Sequence, residues 1–222
     1  MDHFSFVSIC FLSSYLLGSI PTAVWTGKLI HGIDVRAHGS GNAGATNTFR
    51  VLGKPAGIFV LFFDILKGFA GTSIAVSLHQ NGVVSSENLL FFKMLLGLTA
   101  VVGHVFPVFA GFKGGKGVAT LFGMVIAISP IVAAICIGSF LLFFTTLHYV
   151  SVGSMAGGIV FTLLIFMNMG GEATIEARLL ACGLSLMLIY THRSNIRKLL
   201  AGTENKMYFS KKIKSEGLKV KS

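Results

Sequence analysis

The chain has 222 residues, 53% of them hydrophobic and 12% charged, and its 18 Lys and Arg outnumber 8 Asp and Glu for a formal net charge of +10. Soluble domains carry about 25% charged residues, so a chain of this composition, with a mean hydropathy of +0.79, cannot cover its surface with polar groups, and water is excluded as its main solvent. A basic balance points to nucleic acid or to an anionic surface, and the location of the charges decides between them.

His3 to Gly27 is free of Asp, Glu, Lys and Arg over 25 residues, more than the ~20 apolar residues that cross a hydrocarbon core. A crossing is expected here rather than a cleaved leader, which needs a basic start and an apolar core of about 7 to 15 residues; Asp2 precedes this run. Ala56 to Leu78 gives a second span, interrupted by Asp64 and Lys67, and Leu89 to Phe112 a third, with Lys93 near its start. Gly117 to Gly171 then runs for 55 residues without an acidic or basic side chain. At ~1.5 Å per helical residue this exceeds two bilayer cores, so it must fold back. Ser129-Pro130 and the stretch His148 to Gly153 are its natural breaks. The pieces are 117–129, 131–147 and 152–168, followed by a last span from Ile175 to Thr191.

Lys28, Arg36, Arg50 and Lys54 lie between spans one and two, Lys113 and Lys116 between three and four, and nine more Lys or Arg follow Thr191. The opposite loops carry Glu87, Glu172 and Glu176. By the positive-inside bias the three basic segments share the cytoplasmic side, which requires an even number of crossings between Lys116 and Arg193. Four fits the segment lengths better than two. The expected fold is therefore all-α, a polytopic membrane protein of seven helices with its N-terminus outside and its C-terminus cytoplasmic; five helices is the alternative. No domain boundary or repeat is visible, so residues 1–222 read as a single domain with a basic cytoplasmic tail from about 205. Basic residues beside an anionic leaflet are each worth about 1 kcal/mol, and nucleic acid is not expected as a partner. Cys10, Cys136 and Cys182 stand alone in apolar surroundings, as small packing residues rather than a disulfide or metal framework.

Two of the three basic segments are glycine-rich. The first runs His38-Gly39-Ser40-Gly41-Asn42-Ala43-Gly44-Ala45-Thr46-Asn47, with Arg50 following. It contains GxGxxG, but an apolar span precedes it where a dinucleotide site needs a strand. What remains is an anion-binding nest of backbone N–H groups with Ser40, Asn42, Thr46 and Asn47 as added donors; a turn capped by small polar residues is the plain alternative. The second runs from Gly103-His104-Val105-Phe106-Pro107 to Lys113-Gly114-Gly115-Lys116-Gly117-Val118-Ala119-Thr120. Its glycine spacing is one residue short of a P-loop, and Gly117 follows Lys116 where a hydroxyl is required. Two ammonium groups beside the start of a helix still suit a phosphate, although two lysines alone would serve as a positive-inside anchor. The third segment, Thr191 to Arg197, puts His192 and Asn195 on one helical face. Asp64 and Lys67 stand one turn apart inside span two, where ionisable groups are paired or functional; pairing with each other, or orienting a basic loop residue, is expected. His148, Tyr149 and Ser151 fall at a turn on the same side and are candidates to line the site.

Up to seven cations and several glycine nests on one membrane face suit phosphorylated substrates. No HExxH zinc pattern, no HxxxxD acyltransferase pattern and no GxSxG elbow is present, and neither metal nor cofactor is expected. An anion channel or organophosphate transporter is the rival reading, but it places polar groups at the bilayer midplane and on both faces.

GSGNAGATN from Gly39 to Asn47, GHVFPVFAGFKGGKGVAT from Gly103 to Thr120 and HRSNIRKLLAGTE from His192 to Glu204 resemble, in order and spacing, the bacterial membrane acyl-phosphate:glycerol-3-phosphate acyltransferases; the Asp64 to Gly68 element is also similar. The resemblance covers nearly the whole chain up to the tail. It implies a seven-helix inner-membrane enzyme, active on its cytoplasmic face, that moves an acyl group from acyl phosphate to the 1-hydroxyl of glycerol 3-phosphate without using acyl-CoA or acyl carrier protein directly. Carried over by position, Ser40, Arg50, Lys116, His192 and Asn195 would contact the two phosphates, with Thr46, Asn47, Gly114 and Gly115 as donors around the leaving group; Asn42, Lys113 and His104 complete the expected binding set. The general base is expected to be an oxygen of the acyl phosphate itself, with His192 as runner-up. Expected partners are the two substrates and membrane lipid, with the enzyme that makes acyl phosphate a candidate contact of the tail.

Overall fold

The computed structural model describes residues 2–208, so the tail beyond Tyr208 lies outside the described residues. Among these residues the architecture is all-helical. The first apolar run is not one helix: α1 (His3–Ser19) and α2 (Thr22–His31) meet at Ile20-Pro21 with a bend of 41°. Pro21 has no N–H to donate and disfavours helical backbone at the residue before it, and Ile20 accordingly takes φ −59°, ψ 110°. The Ile20 carbonyl released by the break accepts a hydrogen bond from Lys67 Nζ at 2.9 Å.

The remaining helices are α3 (Ala45–Leu52), α4 (Lys54–Gln80), α5 (Leu89–Val105), α6 (Val118–Ile128), α7 (Pro130–Leu147), α8 (Val150–Phe166), α9 (Ile175–Thr191) and α10 (Arg193–Leu200). The breaks in the long apolar run fall where the sequence put them. Ser129 is extended and its hydroxyl accepts the Val132 N–H at 3.4 Å, while Pro130 opens α7, the position where its missing donor costs nothing. His148, with φ 63°, closes α7.

Among the described residues α4, the segment Leu89–Ala110 and α7 are long and apolar enough to cross a bilayer, and the bent pairs α1–α2 and α9–α10 raise the number of candidate spans from three to five. α6 and α8 are apolar but shorter, with 11 and 17 residues. α4 is the hub and packs on α1, α3, α5 and α6, while α7, α8 and α9 pack in series, with α9 returning to α5. Met94, Val101, Met124, Phe161, Ile165 and Leu184 form the centre of the core. Ile58, Phe62, Leu142, Leu163, Leu179 and Leu186 stay exposed, an apolar exterior that suits lipid as solvent. Gly68 of α4 lies on the Thr120 carbonyl of α6, and Gly123 of α6 on the Ile65 carbonyl of α4, so the two backbones touch as small residues permit in membrane helix pairs.

Candidate active site

The first glycine segment is held by one asparagine. Asn47, in the first turn of α3 and 1% exposed, accepts the Ser40 N–H at 2.8 Å and the Ser40 hydroxyl at 3.1 Å through Oδ1, and donates from Nδ2 to the carbonyls of Val35 at 2.8 Å and His38 at 3.1 Å. Gly39 and Gly41 have positive φ, 61° and 74°, a region open to glycine at no steric cost, and a side chain at Gly39 would overlap Asn47 Oδ1. Asn47 is thus used in full on its own loop, which leaves Ser40 exposed at the tip, half-buried Asn42 beside Gly44, and half-buried Thr46 in the first turn of α3.

The second segment is fastened to α5 and to the first. The Gly114 and Gly115 N–H groups donate to the carbonyls of Val105 at 3.1 Å and His104 at 3.2 Å. Their N–H groups, expected as donors around a leaving group, are therefore already engaged, and both glycines serve close approach. A Cβ at Gly114 would overlap the His104 carbonyl; at Gly115 it would overlap His104 Nε2 and lie 3.1 Å from the Ala43 carbonyl. His104 itself is buried at the end of α5, with Nδ1 3.6 Å from Asp64 Oδ1. Lys113 is exposed, and its carbonyl accepts from Arg36 Nη1 at 3.2 Å. Arg36 also donates to the Ala110 carbonyl at 2.9 Å and to both oxygens of Asp34, at 3.0 and 2.8 Å. Its guanidinium holds the Asp34 carboxyl well below the usual range. Sequence reasoning counted Arg36 as one more basic loop residue; only its contacts reveal a strut between the two glycine segments.

Lys116 is where the three segments converge. Its Nζ donates to Asn195 Oδ1, and Asn195 Nδ2 donates to Glu204 Oε1, which also accepts from the Ser151 hydroxyl at 3.3 Å. Burial draws the Lys116 ammonium down to about 8; the positive charges of Lys198 and Arg50 act in the same sense, and Glu204 opposes them. His192, just beyond the end of α9, is buried with Nδ1 2.8 Å from the Leu188 carbonyl. A carbonyl only accepts, so Nδ1 carries the hydrogen and Nε2 is left as the acceptor. Burial, then the charge of Lys116, pulls the imidazole down to about 4. Glu204 and Lys198 were not among the residues singled out from the sequence, although Glu204 is the only acid between Thr191 and Lys206. Glu204 arrives because the chain after α10 turns back over the α7–α8 junction: the Met207 N–H donates to the His148 carbonyl at 2.9 Å, and the His148 and Tyr208 rings lie 4.6 Å apart.

The lowered Lys116 value gives a pH prediction. The ammonium is present below about pH 8 and is lost as pH rises through it, so kcat/KM for an anionic substrate is expected to fall by up to about tenfold per unit above that point. Lys116→Arg, whose guanidinium stays charged, is expected to keep a flat profile to pH 10 at a lower plateau. Rate profiles from pH 6 to 10 for both proteins check this; identical alkaline limbs would mean that another group titrates.

The family model described as glycerol-3-phosphate acyltransferase matches residues 8–202. Proteins named glycerol-3-phosphate acyltransferase from Chlorobium phaeobacteroides (strain DSM 266 / SMG 266 / 2430) and Chlorobaculum tepidum are 44% and 43% identical to this chain, the alignments covering 89% and 90% of it and 95% of each relative. Two crystal structures of PlsY (YgiH), described as an integral membrane glycerol 3-phosphate acyltransferase, superpose with TM-scores of 0.80 and 0.77 at 39% and 38% identity, over 92% of this chain and 96% of theirs. One is the glycerol 3-phosphate form and the other the lysophosphatidic acid form.

Proposed function

The chain belongs to the glycerol-3-phosphate acyltransferase family, and on that premise we propose that it transfers a fatty acyl group from acyl phosphate to the 1-hydroxyl of glycerol 3-phosphate, giving lysophosphatidic acid and phosphate. The observation that carries this reading is the convergence of Lys116, Asn195 and His192, with the charges of Arg50 and Lys198 close enough to act on Lys116. Such a cluster suits two phosphate groups held side by side. Ser40, whose hydroxyl donates to Asn47 Oδ1, stands at the exposed tip of its loop.

Acyl phosphate is an activated mixed anhydride, so no covalent acyl-enzyme is required. The hydroxyl oxygen attacks the acyl carbon, the bond from that carbon to the phosphate oxygen breaks, and the hydroxyl proton goes to a phosphate oxygen. Holding two reactants in attack geometry contributes on the order of 7 to 11 kcal/mol, and donors aimed at the developing oxyanion about 3 to 4 kcal/mol each. The ammonium of Lys116 and the side chain of Asn195 neutralise and orient. Burial disfavours the imidazolium that His192 would become as a base, and this supports the substrate oxygen as proton acceptor. On this reading the acyl chain reaches the site from the bilayer while the polar substrate enters from the cytoplasm.

The same reading takes the seven apolar helical stretches as seven crossings of the bacterial inner membrane, N-terminus outside, in a single domain with a basic tail from about 205. The bond between Lys116 and Asn195 supports an even number of crossings between them, since residues that touch share a face, and counting each of α6 to α9 as one crossing gives four. The test is incubation of the purified protein with palmitoyl phosphate and radiolabelled glycerol 3-phosphate. Equimolar labelled lysophosphatidate and phosphate are expected; phosphate release without lysophosphatidate, or no turnover, removes the reading.

A further inference from the structure

A buried polar chain runs beneath the site from the α1–α2 break to the Lys116 loop. Lys67 Nζ donates to the Ile20 carbonyl at 2.9 Å and pairs with Asp64 Oδ1 at 2.8 Å, and Asp64 Oδ1 faces His104 Nδ1 at 3.6 Å. These three side chains are 6%, 1% and 5% exposed. Burying two charges and an imidazole is costly unless they are paired, and a helix hub needs none of them for packing. Beyond the imidazole lies Gly115, which His104 holds in two ways. Its carbonyl accepts the Gly115 N–H at 3.2 Å, and its Nε2 edge occupies the space that a Cβ on Gly115 would fill. The Ala43 carbonyl of the first glycine segment lies 3.1 Å from the same Cβ position. The residue after Gly115 is Lys116.

We propose that His104, oriented by the Asp64–Lys67 pair, is a positioning residue that sets the height of the Gly115–Lys116 turn and so the placement of the Lys116 ammonium against the substrate phosphate. The imidazole acts as a spacer with one correct orientation. Asp64 faces its Nδ1 and restrains rotation of the ring, Lys67 anchors Asp64 to the Ile20 carbonyl, and the opposite ring edge meets the loop. His104 touches no substrate in this arrangement. The proposal rests on the phosphate-binding role given above to Lys116, since a spacer matters only through the group it places.

A double-mutant cycle between His104 and Lys116, with purified protein, palmitoyl phosphate and radiolabelled glycerol 3-phosphate, tests it. His104→Ala in the parent protein is expected to lower kcat/KM for glycerol 3-phosphate by about 100-fold, the size of effect that an ångström of misplacement produces. In the Lys116→Met background the same change is expected to cost less than about threefold, because residues acting through one another are not additive. His104→Gln, which keeps a polar donor facing Asp64, is expected to restore most of the loss. Equal factors in both backgrounds, or no effect of His104→Ala where Lys116→Met is inactive, overturn the positioning role alone. An active Lys116→Met protein overturns the site reading beneath it. Should His104→Ala not give folded protein, the cycle is run with His104→Phe, a ring without the nitrogen facing Asp64, and the same outcomes decide.

Discussion

Lys116→Met is expected to lower kcat/KM for glycerol 3-phosphate by about 10³-fold, equivalent to about 4 kcal/mol, while Lys113→Met lowers it by about tenfold or less. The sequence offers these two lysines as equivalents on either side of two glycines. Their surroundings separate them. Lys113 is exposed, and a solvated ammonium gains little from any one anion. Lys116 is partly buried, hydrogen-bonded to Asn195, and close enough to Arg50, Lys198 and Glu204 to feel their charges. An anion that neutralises this cluster is attracted in a medium of lower dielectric, where each interaction counts for more. Methionine keeps the apolar stem and removes the charge, so the fold is expected to survive: the melting temperature of Lys116→Met should stay within a few degrees of the parent. Near-normal turnover in Lys116→Met would break the assignment, and equal losses in the two variants would show that the site does not distinguish them.

Gly68→Val is expected to remove the folded protein, or to lower its melting temperature by at least about 10 °C, and to abolish activity with it. A Cβ at Gly68 would overlap the Thr120 carbonyl oxygen, which is helix backbone and cannot rotate away. The neighbouring contact of Gly123 on the Ile65 carbonyl blocks escape along the helix, so α4 and α6 would have to separate. Overpacking a core costs about 1 to 3 kcal/mol when side chains can yield, and more when two backbones must part. The effect reaches the site because α6 begins two residues after Lys116 and its packing on α4 fixes that end. Gly138→Ala is the matched control: it also replaces a glycine inside an apolar helix, α7, but nothing lies within 4 Å of the added carbon. There the melting temperature should hold or rise, since alanine is favoured over glycine in helices by about 1 kcal/mol. A Gly68→Val protein as stable as the parent would show that α4 and α6 do not cross in backbone contact.

Much of the helical framework was legible because apolar runs and their punctuation are local properties. Ser129-Pro130 breaks the long run through the chemistry of those two residues, and His148 ends α7 within the stretch expected to turn. The break at Pro21 is equally local, but an uncharged stretch of 25 residues marks a crossing without marking where its helix bends. The three basic segments could also be found in the sequence, as could the candidacy of Lys116, His192 and Asn195. The division of labour within them could not. Asn47 is as good a phosphate donor on paper as Asn195, but it is consumed by Ser40, Val35 and His38, whereas Asn195 bridges Lys116 to Glu204. Asp64 was expected either to pair with Lys67 or to orient a basic group, and it pairs with the first while facing His104.

Composition, charge placement and the order of three motifs therefore determined by themselves that this is an all-helical membrane protein of a family that acts on a phosphorylated substrate. Each of these is a sum or a short-range pattern, and neither depends on which distant residues meet. The tertiary structure alone decided which glycines pack helix against helix and which seat a loop, which polar groups are spent on the scaffold, and what Arg36, Glu204 and the buried Asp64 and His104 touch. A hydrogen-bonding group has a fixed number of partners, and only the folded chain shows whether those places are already filled or still open to a ligand.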